Sequence, residues 1–174
     1  MERTELESIL RQANIPLERW GIDKAKTMDH LLEEVSAGET TLSLLREVSV
    51  VSIEVTCIVG EESFILREEK QVFSDGRERC RNLGTTMGEK IQPGETPLDA
   101  AKRAIREELG IVDPDLVLVE CGFRTRGPEE SPSYPGLLSL YKFSHFSVTL
   151  PTEHYRLEGY IETQGDKTTY FVWR

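Results

Sequence analysis

The chain has 174 residues, with 21 lysines and arginines against 31 aspartates and glutamates, for a formal charge of −10. That balance excludes duplex nucleic acid as the expected partner, while a small phosphorylated substrate stays compatible because a bound cation can reverse the sign locally. The length suits one domain with a short appendage, and no run approaches the roughly 18 apolar residues of a membrane span, so a cytoplasmic protein with no membrane partner is expected.

In chain order, Leu6, Ile9 and Leu10 recur at helical spacing from Thr4 to about Gln12, with Thr4 as the cap and Pro16 as the stop. A second pattern from about Lys24 to Ser36 puts Met28, Leu31, Leu32 and Val35 on one face, ahead of Gly38. Residues 1–47 are therefore read as a helical N-terminal appendage and 48–174 as the main domain. Strands are expected at Ser49–Val59, Ser63–Arg67, Val117–Arg126, Leu137–Val148, Gly159–Thr163 and Thr168–Trp173, because these runs are rich in β-branched and aromatic residues. The proline- and glycine-rich stretch Arg126–Gly136 predicts an irregular loop. One strong helix among several strands argues for an α+β fold, a sandwich around a mixed β-sheet. Cys57, Cys80 and Cys121 form no C-x-x-C pair and are expected to be reduced and mostly buried, Cys57 and Cys121 within strands.

The segment from Gly88, GEKIQPGETPLDAAKRAIREELGI, specifies its helix sharply. Thr96 can cap, Pro97 suits the first turn, Asp99 lies three residues past the cap, and Gly110 supplies the stop. Leu98, Ala101, Ile105 and Leu109 make the expected buried stripe, with Ala104, Glu107 and Glu108 together at its edge. Adjacent carboxylates beside a buried helix face suit a hard cation, although a pair of glutamates taken alone is more commonly a solvated surface feature.

This segment resembles the Nudix box, G-x5-E-x7-R-E-U-x-E-E-x-G-U, where U is aliphatic. Glu95, Arg103, Ile105, Glu107, Glu108, Gly110 and Ile111 match at fixed spacing. The resemblance implies a Nudix-type α/β/α sandwich, an ion pair between Glu95 and Arg103 that ties loop to helix, and Mg²⁺ or Mn²⁺ on the acidic positions. It implies a pyrophosphohydrolase acting on a nucleoside diphosphate derivative or related small pyrophosphate, with Glu108, Glu107 and Arg103 in the catalytic set. Two positions depart from the pattern: Glu89 stands at the opening glycine, and Ala104 stands where a glutamate follows the arginine. The two departures are linked if Glu89 reaches into the place that Ala104 leaves, giving a metal set of Glu107, Glu108 and Glu89. The alternative is a catalytically silent Nudix domain that binds a nucleotide or a protein; a prenyl diphosphate isomerase on the same fold is disfavoured because no cysteine nucleophile or matching histidine set is evident.

Glu129, Glu130, Glu153 and Glu158 are candidates for a general base outside the box, and Arg124 and Arg126 for phosphate contacts. Tyr160, Tyr170, Phe171 and Trp173 are expected in the core, and His30, His145 and His154 in ordinary packing. The N-terminal helices pack on the same chain, form a homodimer or act as a lid; the surroundings of Leu6, Ile9, Trp20, Leu31 and Val35 discriminate among these uses.

Overall fold

The computed structural model describes residues 2–42, 45–81 and 83–174; Met1, Ser43 and Leu44 of the expected appendage and Asn82 of the expected main domain lie outside the described residues. In chain order these residues form α1 (Arg3–Gln12), α2 (Met28–Ser36), β1 (Thr41–Leu42), β2 (Arg46–Val59), β3 (Glu62–Phe73), β4 (Glu78–Arg79), β5 (Met87–Lys90), α3 (Pro97–Leu109), β6 (Leu118–Glu130), β7 (Leu138–Leu150), β8 (Tyr160–Gln164) and β9 (Lys167–Trp173). The expected α+β class with a mixed sheet is the class observed. The chain divides into two compact units, Met1–Val50 with Lys90–Glu95 and Phe123–Phe143, and Val51–Glu89 with Thr96–Gly122 and Ser144–Arg174.

In the first unit the amphipathic faces of α1 and α2 meet the turn after β6. Leu6, Leu10 and Leu31 are buried with Tyr134 and Leu137, and Trp20, Leu32 and Val35 pack around them, whereas Ile9 stays 40% exposed. The Trp20 indole N–H donates to the Pro135 carbonyl at 2.9 Å, and its ring lies 5.0 Å from that of Tyr134. The apolar helix faces are thus covered within the same chain. Beside this cluster, Glu34 gathers three cations: Lys26 Nζ at 2.7 Å, Arg46 Nη2 at 2.6 Å and Lys90 Nζ at 3.0 Å. Burial works to raise the Glu34 pKa, but the hydrogen bonds from Lys26 and Arg46 outweigh it and hold the carboxyl well below the usual range.

In the second unit the strand segments follow the order β6-β7-β2-β3-β9-β8. The pairs β2–β3, β3–β9 and β8–β9 are antiparallel. Between β2 and β7 the contacts advance in the same direction, Ser52 with His145 and then Thr56 Oγ1 donating to the Val148 carbonyl at 3.3 Å, which marks parallel neighbours and makes the sheet mixed. Val51, Ile53, Val55, Cys57 and Leu66 are buried, as are Ala100, Ala101, Ala104, Ile105 and Leu109 of α3. Buried Thr86 staples two strands: its Oγ1 accepts from Val55 N–H at 2.9 Å and donates to the Leu66 carbonyl at 2.6 Å.

Several local expectations need correction. α1 begins at Arg3 rather than after a Thr4 cap, with Glu2 as its N-cap, and α2 begins at Met28 because Thr27 caps it by accepting from His30 N–H at 3.4 Å. The expected loop from Arg126 is strand as far as Glu130; β6 has β7 as its only neighbour in the strand order, so it lies at a sheet edge, where a proline such as Pro128 is tolerated because no ladder donor is lost. The same edge leaves Cys121 exposed, as Cys80 also is, while Cys57 is buried. Leu98 is 39% exposed and Ala100 and Ala104 take its expected place in the buried face of α3. Tyr160 and Phe171 are buried as expected, with Tyr170 and Trp173 only partly so.

Removing Glu34 strands the Arg46 guanidinium, whose side chain is 4% exposed, so Glu34→Ala is expected to cost about 3–5 kcal/mol at neutral pH. Because the folded pKa lies below the unfolded one, this contribution is complete above the unfolded value of about 4.3 and is lost as the pH falls through the folded value. Urea unfolding of both proteins between pH 7 and pH 3 checks this: the stability gap should narrow on acidification, and a gap that stays constant would discard the assignment.

Candidate active site

Helix α3 starts and stops on local signals. Thr96 Oγ1 accepts from Asp99 N–H at 3.2 Å, Pro97 occupies the first turn, and Gly110 closes the helix in the left-handed region at φ 67°, its N–H on the Arg106 carbonyl at 3.0 Å. The three alanines of the buried face, Ala100, Ala101 and Ala104, are fully covered. Ala104 therefore sits inside the packed face, and Glu107 and Glu108 begin the next turn toward its edge.

Arg103 draws two candidate acids together. Its Nη1 lies 3.2 Å from Glu107 Oε2 and 3.6 Å from Glu89 Oε1, and its side chain is only 11% exposed. Glu89 reaches this position because β5, which follows the Thr86 staple, pairs with β2. Glu108 faces inward beside them. Burial, then the charges of Glu162 and Glu89, push its pKa up to about 8, against the opposing pull of Lys167 and Arg81. A carboxyl in such company takes up positive charge readily, as a proton or as a cation.

The structure thus brings together Glu89, Arg103, Glu107 and Glu108 of the sequence-derived set. Glu95 belongs to the first unit, where its carboxylate accepts from Gln92 N–H at 2.9 Å. Arg124 and Arg126 also belong to that unit. Arg124 lies 5.5 Å from the Phe143 ring, while Arg126 lies 5.0 Å from the Tyr141 ring and pairs with Glu129 at 2.8 Å. Glu130 accepts from Gly136 N–H at 2.8 Å, and Glu153 and Glu158 are exposed. The acid near Glu108 that sequence reasoning missed is Glu162 on β8, a strand packed against α3. Glu68 and Arg81 were missed as well: Arg81 Nε donates to Glu68 Oε1 at 2.8 Å and a second bond joins Nη2 to Oε2.

The family model of the NUDIX domain matches residues 53–164. No curated protein matches the chain. Among solved structures, the dihydroneopterin triphosphate pyrophosphohydrolase of E. coli is 22% identical with a TM-score of 0.45, the alignment covering 71% of this chain and 78% of that one. A MutT/nudix family protein from Enterococcus faecalis is 13% identical with a TM-score of 0.47, over 84% of this chain and 50% of that one. An Ap4A hydrolase from C. elegans is 15% identical with a TM-score of 0.43, over 72% and 77% of the two chains.

The turn into β8 fixes where Glu162 stands. Gly159 has φ 77°, and a Cβ there would lie 1.9 Å from the Phe171 carbonyl oxygen. Gly159→Ala should therefore lose at least about 1–3 kcal/mol from backbone strain alone. Equilibrium denaturation measures this, and wild-type stability in the variant would show that β8 enters the sheet differently.

Proposed function

We propose that this chain, which belongs to the NUDIX domain family, hydrolyses a diphosphate linkage in a nucleoside diphosphate derivative or related small pyrophosphate, with Mg²⁺ or Mn²⁺ as cofactor. The observation that carries the reading is the crowding of Glu89 and Glu162 around Glu108, with Arg103 between Glu89 and Glu107. All the donors are carboxylate oxygens, the preference of a hard cation, and carboxylates that repel one another without a cation are the ones a cation relieves. No three described His, Cys, Asp or Glu side chains form a ready-made metal centre, so water and substrate phosphate oxygens would complete the coordination that the carboxylates begin.

Glu107, Glu108 and Glu89 would hold the ion. When bound, it supplies polarisation of a phosphoryl oxygen and acidification of a water. Arg103 keeps Glu107 and Glu89 in register. Glu108 and Glu162 are the carboxyl groups placed to take the proton of an attacking water. Glu89 acts from β5 in the role that the fully buried Ala104 methyl cannot fill. In this reading 48–174 is the hydrolase domain, 1–47 an appendage, and the protein works in the cytoplasm. A second reading, a catalytically silent domain that binds a nucleotide or a protein, is favoured by one observation: the position where the family has a glutamate is an alanine closed into the core.

A Mg²⁺- or Mn²⁺-dependent screen across nucleotide sugars, dinucleotides, nucleoside triphosphates and inositol pyrophosphates tests both. In an active protein, Glu108→Gln is expected to lower kcat by about 10²–10⁴. Glu89→Ala should fall by a similar factor, with Ala104→Glu restoring part of the loss. Undiminished activity in Glu89→Ala would discard the replacement of one acid by the other. Clean absence of turnover together with retained nucleotide binding would select the silent domain.

A further inference from the structure

A cationic strip runs through the second unit of this acidic chain. The sequence Arg77-Glu78-Arg79-Cys80-Arg81 places arginines at alternate positions, and β4 pairs with β3 in the register Gln71↔Arg79 and Val72↔Glu78. Strand alternation in β3 would put Glu68 and Gln71 on opposite faces. The register shift between Glu68 and Lys70 resets the phase, so that Gln71 Nε2 donates to Glu68 Oε2 at 3.3 Å. Both are buried, Gln71 fully and the Glu68 side chain to 1% exposure.

The two arginines above this pair are unequally satisfied. Arg81 makes a bidentate pair with Glu68. Arg79 donates both Nε, at 2.9 Å, and Nη2 to the neutral amide oxygen of Gln71, and among the described residues it has no ion pair. Arg77 is neutralised by Asp75 at 2.6 Å and lies 5.1 Å from the Phe73 ring, over which Arg79 also lies. Among the described residues Glu68 is thus the one carboxylate that ion-pairs with either of these half-buried guanidinium groups, and it pairs with Arg81. Burial and the neighbouring Arg81 both work against the charge on Arg79, and Glu68 offsets them only in part. Half-buried charge of this kind is normally paired. The registers Arg79↔Gln71, Gln71↔Thr169 and Thr169↔Glu162 set the strip in one cross-strand row with Glu162, and Arg81 feels the charges of Glu108 and Glu162, so this end of the strip borders the candidate active site.

We propose that Arg79 and Arg81 form an anion subsite that holds the phosphate next to the cleaved linkage, so that the preferred substrate carries three or more linked phosphates rather than a bare diphosphate between two sugars. The subsite rests on the hydrolase reading for its role in catalysis, but its anion binding does not. The guanidinium fork matches phosphate oxygens bidentately, and the anchoring of both groups on Glu68 and Gln71 means that little side-chain freedom remains to be lost on binding.

Calorimetric titration of the full chain in EDTA with inorganic tripolyphosphate and with pyrophosphate tests the subsite without hydrolysis. Wild type should bind tripolyphosphate more tightly than pyrophosphate, Arg79→Gln should bind tripolyphosphate about tenfold more weakly, and Arg11→Gln should match wild type. Should Arg79→Gln fail to fold, as judged by its melting curve, Arg79→Lys keeps the charge but loses the fork and should still bind several-fold more weakly. Failure of wild type to bind tripolyphosphate, or wild-type binding by the folded Arg79 variant, would overturn the subsite. With Mg²⁺, Arg79→Gln should raise KM for a nucleoside triphosphate about tenfold at unchanged kcat and leave KM for a nucleotide sugar alone. Equal effects on both substrates would overturn the subsite while the hydrolase reading stands. Arg79-dependent tripolyphosphate binding by a protein with no turnover would uphold the anion site and remove the hydrolase reading.

Discussion

Two like charges 4 Å apart repel by roughly 4 kcal/mol at the effective dielectric of a protein surface, and the second unit collects Glu68, Glu89, Glu107, Glu108 and Glu162 in neighbouring positions on β3, β5, α3 and β8. Cations threaded between the acids support that arrangement, Lys167 beside Glu108 among them. Arg103 takes Glu89 and Glu107, and Arg81 takes Glu68 while facing Glu108 and Glu162. Glu108 and Glu162 are left with no ion pair of their own among the described residues, and the raised pKa of Glu108 records its burial first and then the repulsion that the nearby cations do not cancel. In the proposed reading, the affinity of this cluster for a cation follows from that incomplete neutralisation.

Helix α3 makes the arrangement possible by how closely it can approach the sheet. Its buried face is largely alanine, and small side chains bring helix and strands near enough for acids borne by one to feel acids borne by the other. Ala104 belongs to that face. A glutamate there would have to leave the packed layer or carry its charge into it, and the second course is costly without a partner. In the proposed reading, a ligand at Glu89 in place of one at position 104 would change more than the address of a carboxylate, since it would let the helix face close completely while the acid arrives from β5.

What could be read from the sequence follows from how local each determinant is. The bounds of α3 were legible because Thr96, Pro97 and Gly110 act within one turn of themselves. Glu107 and Glu108 were legible because helical spacing fixes their side. Glu162 was not, since a strand acid comes near a helix acid only through sheet order: β8 pairs locally with β9, but β9 is placed by its pairing with β3 far earlier in the chain. Glu68 and Gln71 were hidden for a sharper reason: alternation predicts opposite faces, and a one-residue register shift against β9 overturns it. The expected loop after Arg126 failed similarly, because prolines break central strands but not edge strands, and sequence does not say which strand is at the edge.

The bulge and the arginine strip together show how an acidic chain keeps a cationic surface. Scattered arginines in a protein of charge −10 would find acids and be neutralised. Here Arg79 is directed onto Gln71, an amide that can orient a guanidinium but carries no charge to cancel it. Gln71 is itself fixed by Glu68, so the one available carboxylate is committed to Arg81 and Gln71 at once. Positive charge survives at that point because the register of β3 puts a neutral acceptor where an acid would otherwise neutralise it. In the proposed reading, an anion supplied from solution is the partner of the right sign for Arg79, held beside Arg81 against the repulsion of the acids around Glu108.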